Sequence, residues 1–151
     1  MFWQGGSDLR NDIFPQYKAH RDETPEAIRI AVPFIQDILN AMHIPVVVKA
    51  GFEADDIIGT LAKKAEAQGF DTYMVTPDKD FAQLVSDHIF MYRPVFGGGY
   101  ETWGIPEVQA KFEVDTPEQV IDFLGMMGDS ADNIPGLPGV GEKTAKKFIK
   151  A

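Results

Sequence analysis

Asp71-Thr72-Tyr73-Met74-Val75-Thr76-Pro77-Asp78-Lys79-Asp80 sets the fold of this chain. Its first six residues are rich in β-branched and aromatic types, as a strand requires. Pro77 and the acids after it end the strand and open a short helix to about Val85. Ile89 to Arg93 is a second strand. Strand, helix, strand in this rhythm predicts parallel pairing in an α/β sheet. Upstream, Pro45-Val46-Val47-Val48-Lys49 is too short for a helix and is expected as a buried strand. A helix is predicted from Glu53 to Gln68, with Ile57, Ile58, Leu61, Ala62 and Ala65 inward and Gly69 as its stop. Thr24-Pro25-Glu26 is expected to open an earlier helix through a hydroxyl cap and a proline at its first position. Ile28, Val32, Ile35, Leu39 and Met42 form its apolar face, and Pro33 is expected to kink it. Leu9 to Arg21 lacks periodicity and is expected to be irregular and mobile. Downstream, Gly97-Gly98-Gly99 turns into a strand, Tyr100 to Trp103. Helices follow over Pro106 to Phe112 and Thr116 to Met127, the second again opened by Thr-Pro-Glu. Asp129 to Pro135 is expected as a loop, and a glycine-punctuated stretch from Gly136 feeds a last helix.

The 151 residues are 44% hydrophobic, enough for one domain with a core or for one domain and a small appendage. No apolar run approaches the length of a membrane span, and Met1-Phe2-Trp3-Gln4-Gly5-Gly6 lacks the layout of a signal peptide. The chain is therefore read as soluble and unexported. With no cysteine, any metal must be held by oxygen or imidazole, which favours Mg²⁺, Mn²⁺ or Ca²⁺. The net charge of −9 is unusual for a nucleic-acid binder, but setting aside seven candidate metal ligands leaves about −2.

Those seven are Glu53, Asp55, Asp56, Asp78, Asp80, Asp129 and Asp132. Ligands of an open α/β sheet bind beyond the carboxyl ends of its strands. Glu53, Asp55 and Asp56 follow one predicted strand, and Asp78 and Asp80 follow the next, so all five are expected on one rim. A helix N-terminus offsets only about 0.3–1 kcal/mol per carboxylate, less than three neighbours repel without cations. Read singly, each group has a plain alternative: an acidic helix start, a solvated turn, or a helix-ending turn capped by Asn133. Together they suggest a carboxylate cage for two Mg²⁺ ions about 3.5–4 Å apart, suited to phosphoester or phosphodiester hydrolysis.

Gly136-Leu137-Pro138-Gly139-Val140-Gly141-Glu142-Lys143-Thr144-Ala145 has the form of a hairpin between helices. Its glycines would let backbone approach a phosphate, and Lys143, Lys146, Lys147 and Lys150 would add sequence-independent attraction. The spacing is not that of a Walker loop, because lysine does not follow Gly141. In Tyr17-Lys18-Ala19-His20-Arg21, Lys18 and Arg21 could offset phosphate charge and Tyr17 could stack on a base. The histidines His20, His43 and His88 are read as surface or core residues.

Tyr-Lys-x-x-Arg, Gly-Phe-Glu-Ala-Asp-Asp, Thr-Pro-Asp-Lys-Asp, Gly-Asp-Ser-Ala-Asp-Asn and Gly-Leu-Pro-Gly-Val-Gly-Glu-Lys-Thr-Ala occur here in that order. The ordered set closely resembles the 5′–3′ exonuclease domain of bacterial DNA polymerase I, a relative of the flap endonucleases. The resemblance implies an α/β parallel-sheet, PIN-like or resolvase-like nuclease core over 1–113 with an arch over about 9–43. An all-helical helix-hairpin-helix region would follow over 114–151. It implies Glu53, Asp55 and Asp56 at a first Mg²⁺ or Mn²⁺ site and Asp78, Asp80, Asp129 and Asp132 at a second. Lys18 and Arg21 would be catalytic residues of the arch. Arg10, Tyr17, Gly139, Gly141, Lys143, Thr144, Lys146 and Lys147 would bind DNA, with K⁺ at the hairpin carbonyls. The implied substrates are 5′ flaps and nicked or primed duplex, in a bacterial cytoplasm at the nucleoid, and the implied partner is a polymerase domain absent here.

The family's first strand, with its metal-binding Asp, is missing, and Met1-Phe2-Trp3-Gln4 stands where a Phe-Asp pair is expected. One retained metal and reduced turnover are the expectation. Two other classes compete: a DNA-binding module without turnover, and a nucleotide-sugar transferase using Asp78-Lys79-Asp80. The transferase leaves the Gly136 to Thr144 block without a role.

Overall fold

The structure is a computed structural model and describes residues 8–150, so the readings of Met1 to Gly6 lie outside the described residues. The chain forms two compact units, Met1–Ile57 with Ala131–Asn133, and Ile58–Ser130 with Ile134–Ala151.

In the first unit, helix α1 (Asp8–Ile13) leads into turns closed by Tyr17 N–H to Phe14 O and Arg21 N–H to Lys18 O. The segment expected to be irregular is thus partly helical, and its turns are fastened. Lys18 N–H donates to Asp132 O at 2.9 Å and Asn133 Nδ2 to Gln16 O at 2.7 Å. Helix α2 (Glu26–Ala41) runs through Pro33. Its cap position is Pro25, so Thr24 lies one residue too early to serve as the hydroxyl cap. Nothing on α2 is fully buried, and Ile28 and Met42, expected inside, are exposed.

The end of α2 is built by two hydrogen bonds. His43 N–H donates to Asn40 O and Ile44 N–H to Leu39 O, with His43 at φ +57°. This is a Schellman closure carrying a side chain where glycine is favoured. His43→Gly is therefore expected to raise stability by about 0.5–1 kcal/mol, measured by urea unfolding.

The expected strand Pro45 to Lys49 is not one: the segment carries no ladder, and Val47 and Val48 are exposed. β-branched residues favour extended backbone, but a strand also needs a neighbour to take its N–H and C=O groups. None of the described strands pairs with it. Helix α3 (Ala54–Glu66) follows Gly51 at φ +80°. Asp56 accepts from the Glu53 N–H at 3.0 Å, the reach-back half of a capping box. Ala62 is buried as expected, whereas Leu61 is exposed, and Gly69 at φ +82° marks the stop.

The second unit holds a three-stranded sheet of β1 (Thr72–Val75), β2 (Ile89–Pro94) and β3 (Tyr100–Trp103). β1 and β2 are parallel, joined through a 3₁₀ helix over Lys79–Leu84, and β2 and β3 form an antiparallel hairpin. Met74, Ile89 and Met91 turn into a core shared with Phe81, Val108 and Phe123. Tyr73, Val75, Tyr92 and Tyr100 alternate onto the exposed face.

Helices α4 (Ile105–Phe112) and α5 (Gln119–Met127) close this core. The second Thr-Pro-Glu opens its helix through the backbone instead of the hydroxyl: Gln119 N–H donates to Thr116 O at 3.1 Å and Val120 N–H to Pro117 O at 3.0 Å, a tight first turn before the regular helix. The α5 helix begins at Gln119, whose Oε1 accepts from Asp115 N–H (2.7 Å) and Thr116 N–H (3.3 Å). The expected loop after it contains two short paired strands, β4 (Gly128–Asp129) and β5 (Ile134–Pro135). Leu137-Pro138-Gly139-Val140 then turns through a Val140 N–H to Leu137 O bond with Gly139 at φ +77°, a turn that requires glycine at its third residue. Helix α6 (Glu142–Ile149) follows, anchored by fully buried Ala145. Among the described residues no helix is long and apolar enough to cross a membrane.

Candidate active site

Glu53 precedes α3 and is 7% exposed, the one buried charged residue among those described. Its Oε2 takes the Lys18 ammonium at 2.7 Å, and the Tyr17 hydroxyl lies 3.1 Å from both Glu53 Oε2 and Asp132 Oδ2. Lys18 Nζ is also 3.6 Å from Asp132 Oδ2, while Arg21 Nη2 meets Asp132 Oδ1 at 2.5 Å. Glu53 Oε1 is buried and has no hydrogen-bond partner among the described residues. One lysine thus bridges two carboxylates, and one buried carboxylate oxygen is left over.

Burial works against the Lys18 charge, but hydrogen bonds to Glu53 and Tyr17 outweigh it and hold its pKa above the ordinary lysine value. Burial also pushes the Tyr17 phenol up to about 12, against the pull of Lys18. The phenol therefore keeps its proton. Tyr17, expected to offer its ring to a base, is instead buried here.

Arg10 grips Asp56 with both guanidinium ends at 2.8 Å. That fork holds the Asp56 carboxyl below its ordinary value, aided by the Glu53 N–H. The sign follows: the stabilising contribution of Asp56 is complete above the unfolded-state value of 3.8 and is lost as pH falls through the lower folded-state value. Arg10→Met is accordingly expected to move the acid-unfolding midpoint to higher pH, followed by circular dichroism. Asp55 is exposed, one residue outside this pair.

In the second unit, Asp78 caps the 3₁₀ helix by accepting from Asp80 N–H at 3.0 Å, and Thr76 Oγ1 accepts from Asp78 N–H at 3.1 Å. Lys79 Nζ lies 3.0 Å from Asp80 Oδ1 and 3.3 Å from Asp129 Oδ2. Burial raises the Asp80 carboxyl above its ordinary value despite Lys79. The pattern of the first unit repeats, with an ammonium between two carboxylates. Among the described residues no group of three or more acids or histidines is arranged to hold a metal ion. Lys18 stands between Glu53 and Asp132, and Lys79 between Asp80 and Asp129.

In the hairpin region, Lys146 contacts Glu142 (2.9 Å) and Glu113 (3.4 Å), and Lys150 contacts Glu113 at 2.8 Å. Lys143 and Lys147 are exposed and form no ion pair among the described residues. The lysines grouped together in the sequence therefore divide into a neutralised pair and an available pair.

Sequence reading missed three contributors: Lys79 as a bridge, Tyr17 as a proton donor to carboxylates, and Arg93. Arg93 stands directly opposite Glu101 across the β2/β3 hairpin, a register that the Gly97-Gly98-Gly99 turn could have revealed.

An α/β unit carrying acids after its strand ends, followed by a glycine hairpin and a lysine-bearing helix, defines a phosphoester-processing class. The description "5′-3′ exonuclease, N-terminal resolvase-like domain" matches residues 1–113, and "5′-3′ exonuclease, C-terminal SAM fold" matches 115–151. The chain belongs to the 5′–3′ exonuclease family, a family of nucleases and so of hydrolases. It is 45% identical over 150 residues to DNA polymerase I of Bacillus subtilis and 40% identical to that of Bacillus caldotenax. It covers 99% of its own length in each comparison and spans 17% of each polymerase. Among solved structures, zinc-bound T5 5′-exonuclease superposes with TM-score 0.80 at 25% identity, covering 97% of this chain and 57% of that one. A T5 D15 flap endonuclease pseudo-enzyme-product complex with DNA and metal ions gives 0.78 at 25%, with the same coverage.

Proposed function

We propose that this chain is a structure-specific 5′ nuclease domain, hydrolysing phosphodiester bonds of DNA as a 5′–3′ exonuclease and 5′-flap endonuclease. The observation that carries the reading is the Tyr17, Lys18, Arg21, Glu53 and Asp132 cluster, where cations able to receive a phosphate stand against carboxylates able to hold a metal.

The donors suit a hard divalent cation, since all are oxygen, Glu53 Oε1 is a buried lone pair without a partner, and Lys79 already places positive charge between Asp80 and Asp129. Asp78, Asp80, Asp129 and Asp132 would hold one Mg²⁺ or Mn²⁺, and Glu53, Asp55 and Asp56 would contribute ligands to another. Bound there, the metal supplies an activated water and charge neutralisation at phosphorus. Lys18 and Arg21 offset the negative charge that develops on the phosphate. Tyr17, protonated and buried, orients Glu53 and Asp132. Gly139 and Gly141 open the hairpin backbone to a phosphate, with K⁺ on its carbonyls, and Lys143, Thr144 and Lys147 extend that contact to duplex DNA. In the family's setting the substrates are 5′ flaps and nicked or primed duplex, at the bacterial nucleoid, beside a polymerase domain.

The ammonium groups seated between carboxylates, Lys18 and Lys79, favour a second reading, a DNA-binding module without turnover. A labelled 5′-flap substrate decides between them. Cleavage in Mg²⁺ that stops in EDTA while binding persists supports the nuclease. Binding in both buffers with cleavage in neither supports the module.

A further inference from the structure

The sheet ends where the Asp78-Lys79-Asp80 turn begins. Thr76 N–H donates to Tyr92 O at 3.3 Å, and Pro77 then has no N–H with which to continue the ladder. Its carbonyl is taken by a side chain instead: Arg93 Nη2 donates to Pro77 O at 3.2 Å. That guanidinium is itself fixed. It lies over the Trp103 ring, 3.9 Å from the centroid, and Nη1 reaches Glu101 Oε1 at 3.4 Å. Its Nε is buried with no hydrogen-bond partner among the described residues, so a desolvation cost is borne at this position. A β2 residue that served only to pair with Glu101 would not need to bury its Nε or reach across to the preceding strand's exit.

We propose that Arg93 is a positioning residue that holds the Pro77 carbonyl and thereby sets the Asp78 and Asp80 carboxylates for a divalent cation. The inference rests on the metal reading given above. Arg93 touches neither carboxylate. It clamps the backbone immediately before them, using the planar, two-ended donor set that stacks on an indole and that lysine lacks. Groups that orient metal ligands from behind alter metal affinity by about 10–100-fold when removed.

Mn²⁺ titrated calorimetrically into the 151-residue chain without DNA tests this, with Arg93→Gln and Arg93→Lys alongside and thermal melts on each. Both variants are expected to bind Mn²⁺ about tenfold more weakly or worse. The Mn²⁺ concentration for half-maximal flap cleavage should rise in parallel, while flap affinity in EDTA stays unchanged. A role in folding alone would lower the melting temperature without moving the Mn²⁺ affinity of the folded fraction, and that result overturns the proposal. Should Arg93→Gln fail to fold, Arg93→Lys carries the test, since it keeps a charge beside Glu101 and loses the fork that reaches the Pro77 carbonyl. Weaker Mn²⁺ binding in that variant supports the proposal, and unchanged binding overturns it. If the unsubstituted chain takes up no Mn²⁺, the metal reading itself falls and carries this inference with it. If it binds and the variants bind equally well, only the role of Arg93 falls.

Discussion

Gly128→Ala is expected to destabilise the chain by at least about 3 kcal/mol and, on the nuclease reading proposed above, to abolish flap cleavage. Gly128 sits at φ +68° and ψ −178°, a region essentially closed to residues with a Cβ. A Cβ there would stand 2.2 Å from Gly136 N and 2.5 Å from Ile134 O. Both are backbone atoms, one in β5 and one directly after it, and cannot rotate aside. The crossing is tight from the other side too, since a Cβ on Gly136 would meet Met127 O at 2.2 Å. Relief requires β4 and β5 to part, which displaces Asp129 next to the substituted residue and loosens the Leu137 N–H to Met126 O bond that ties in the hairpin. Gly139→Ala is the control. It shares a positive φ of +77° but nothing lies within 4 Å, so it is expected to cost only the strain, about 1–2 kcal/mol. Urea denaturation of both variants measures the difference. A Gly128→Ala chain no less stable than Gly139→Ala would show that the close approach carries no energy.

That contrast also marks what a sequence discloses. β1, β2 and β3 were legible because β-branching and alternation are local properties, as was the stop at Gly69. The hairpin turn at Gly139 was legible because Pro-Gly specifies its own dihedrals. The demand on Gly128 arises from a neighbour eight residues on, and no local pattern reports it. Thr24 and Thr116 looked like hydroxyl caps because their residue types suit the task, but Thr24 lies one residue before its helix's cap position and Thr116 opens its helix's first turn through backbone groups. Pro45 to Lys49 had strand propensity without a partner, and propensity does not create one.

The candidate site followed the same division. The acids were visible as residue types in a pattern, but which cation neutralises which acid depends on distant contacts such as Lys18 with Glu53, 35 positions apart, and Arg21 with Asp132, 111 apart. The sequence reading assigned neutralisation to metal alone, and it left Lys18, Arg21 and Arg10 to nucleic acid. In the structure all three stand on carboxylates.

The double demand on Lys18 makes its replacement informative. In Lys18→Ala, Glu53 keeps its burial, loses its ammonium, and retains the Tyr17 hydroxyl. Removing one partner of a fully buried ion pair costs about 3–5 kcal/mol. Here the lysine is 19% exposed and Arg21 still faces Asp132, so a loss of about 2 kcal/mol is expected. Glu53→Gln in the same chain removes the stranded charge and should recover most of that stability. Catalysis should behave differently. If Lys18 offsets phosphate charge as proposed, Lys18→Ala lowers the single-turnover rate of flap cleavage by about 10²–10³-fold. Adding Glu53→Gln then gives no recovery of rate, because it restores the fold without restoring the cation and also takes a charge from the metal ligands. Stability regained in the double variant measures the structural role of Lys18, and the single-turnover rate of folded Lys18→Ala alone measures its chemical one. A Lys18→Ala chain that cleaves at the unsubstituted rate once folded would reduce Lys18 to the counter-charge of Glu53, and would leave Arg21 as the cation that meets the phosphate.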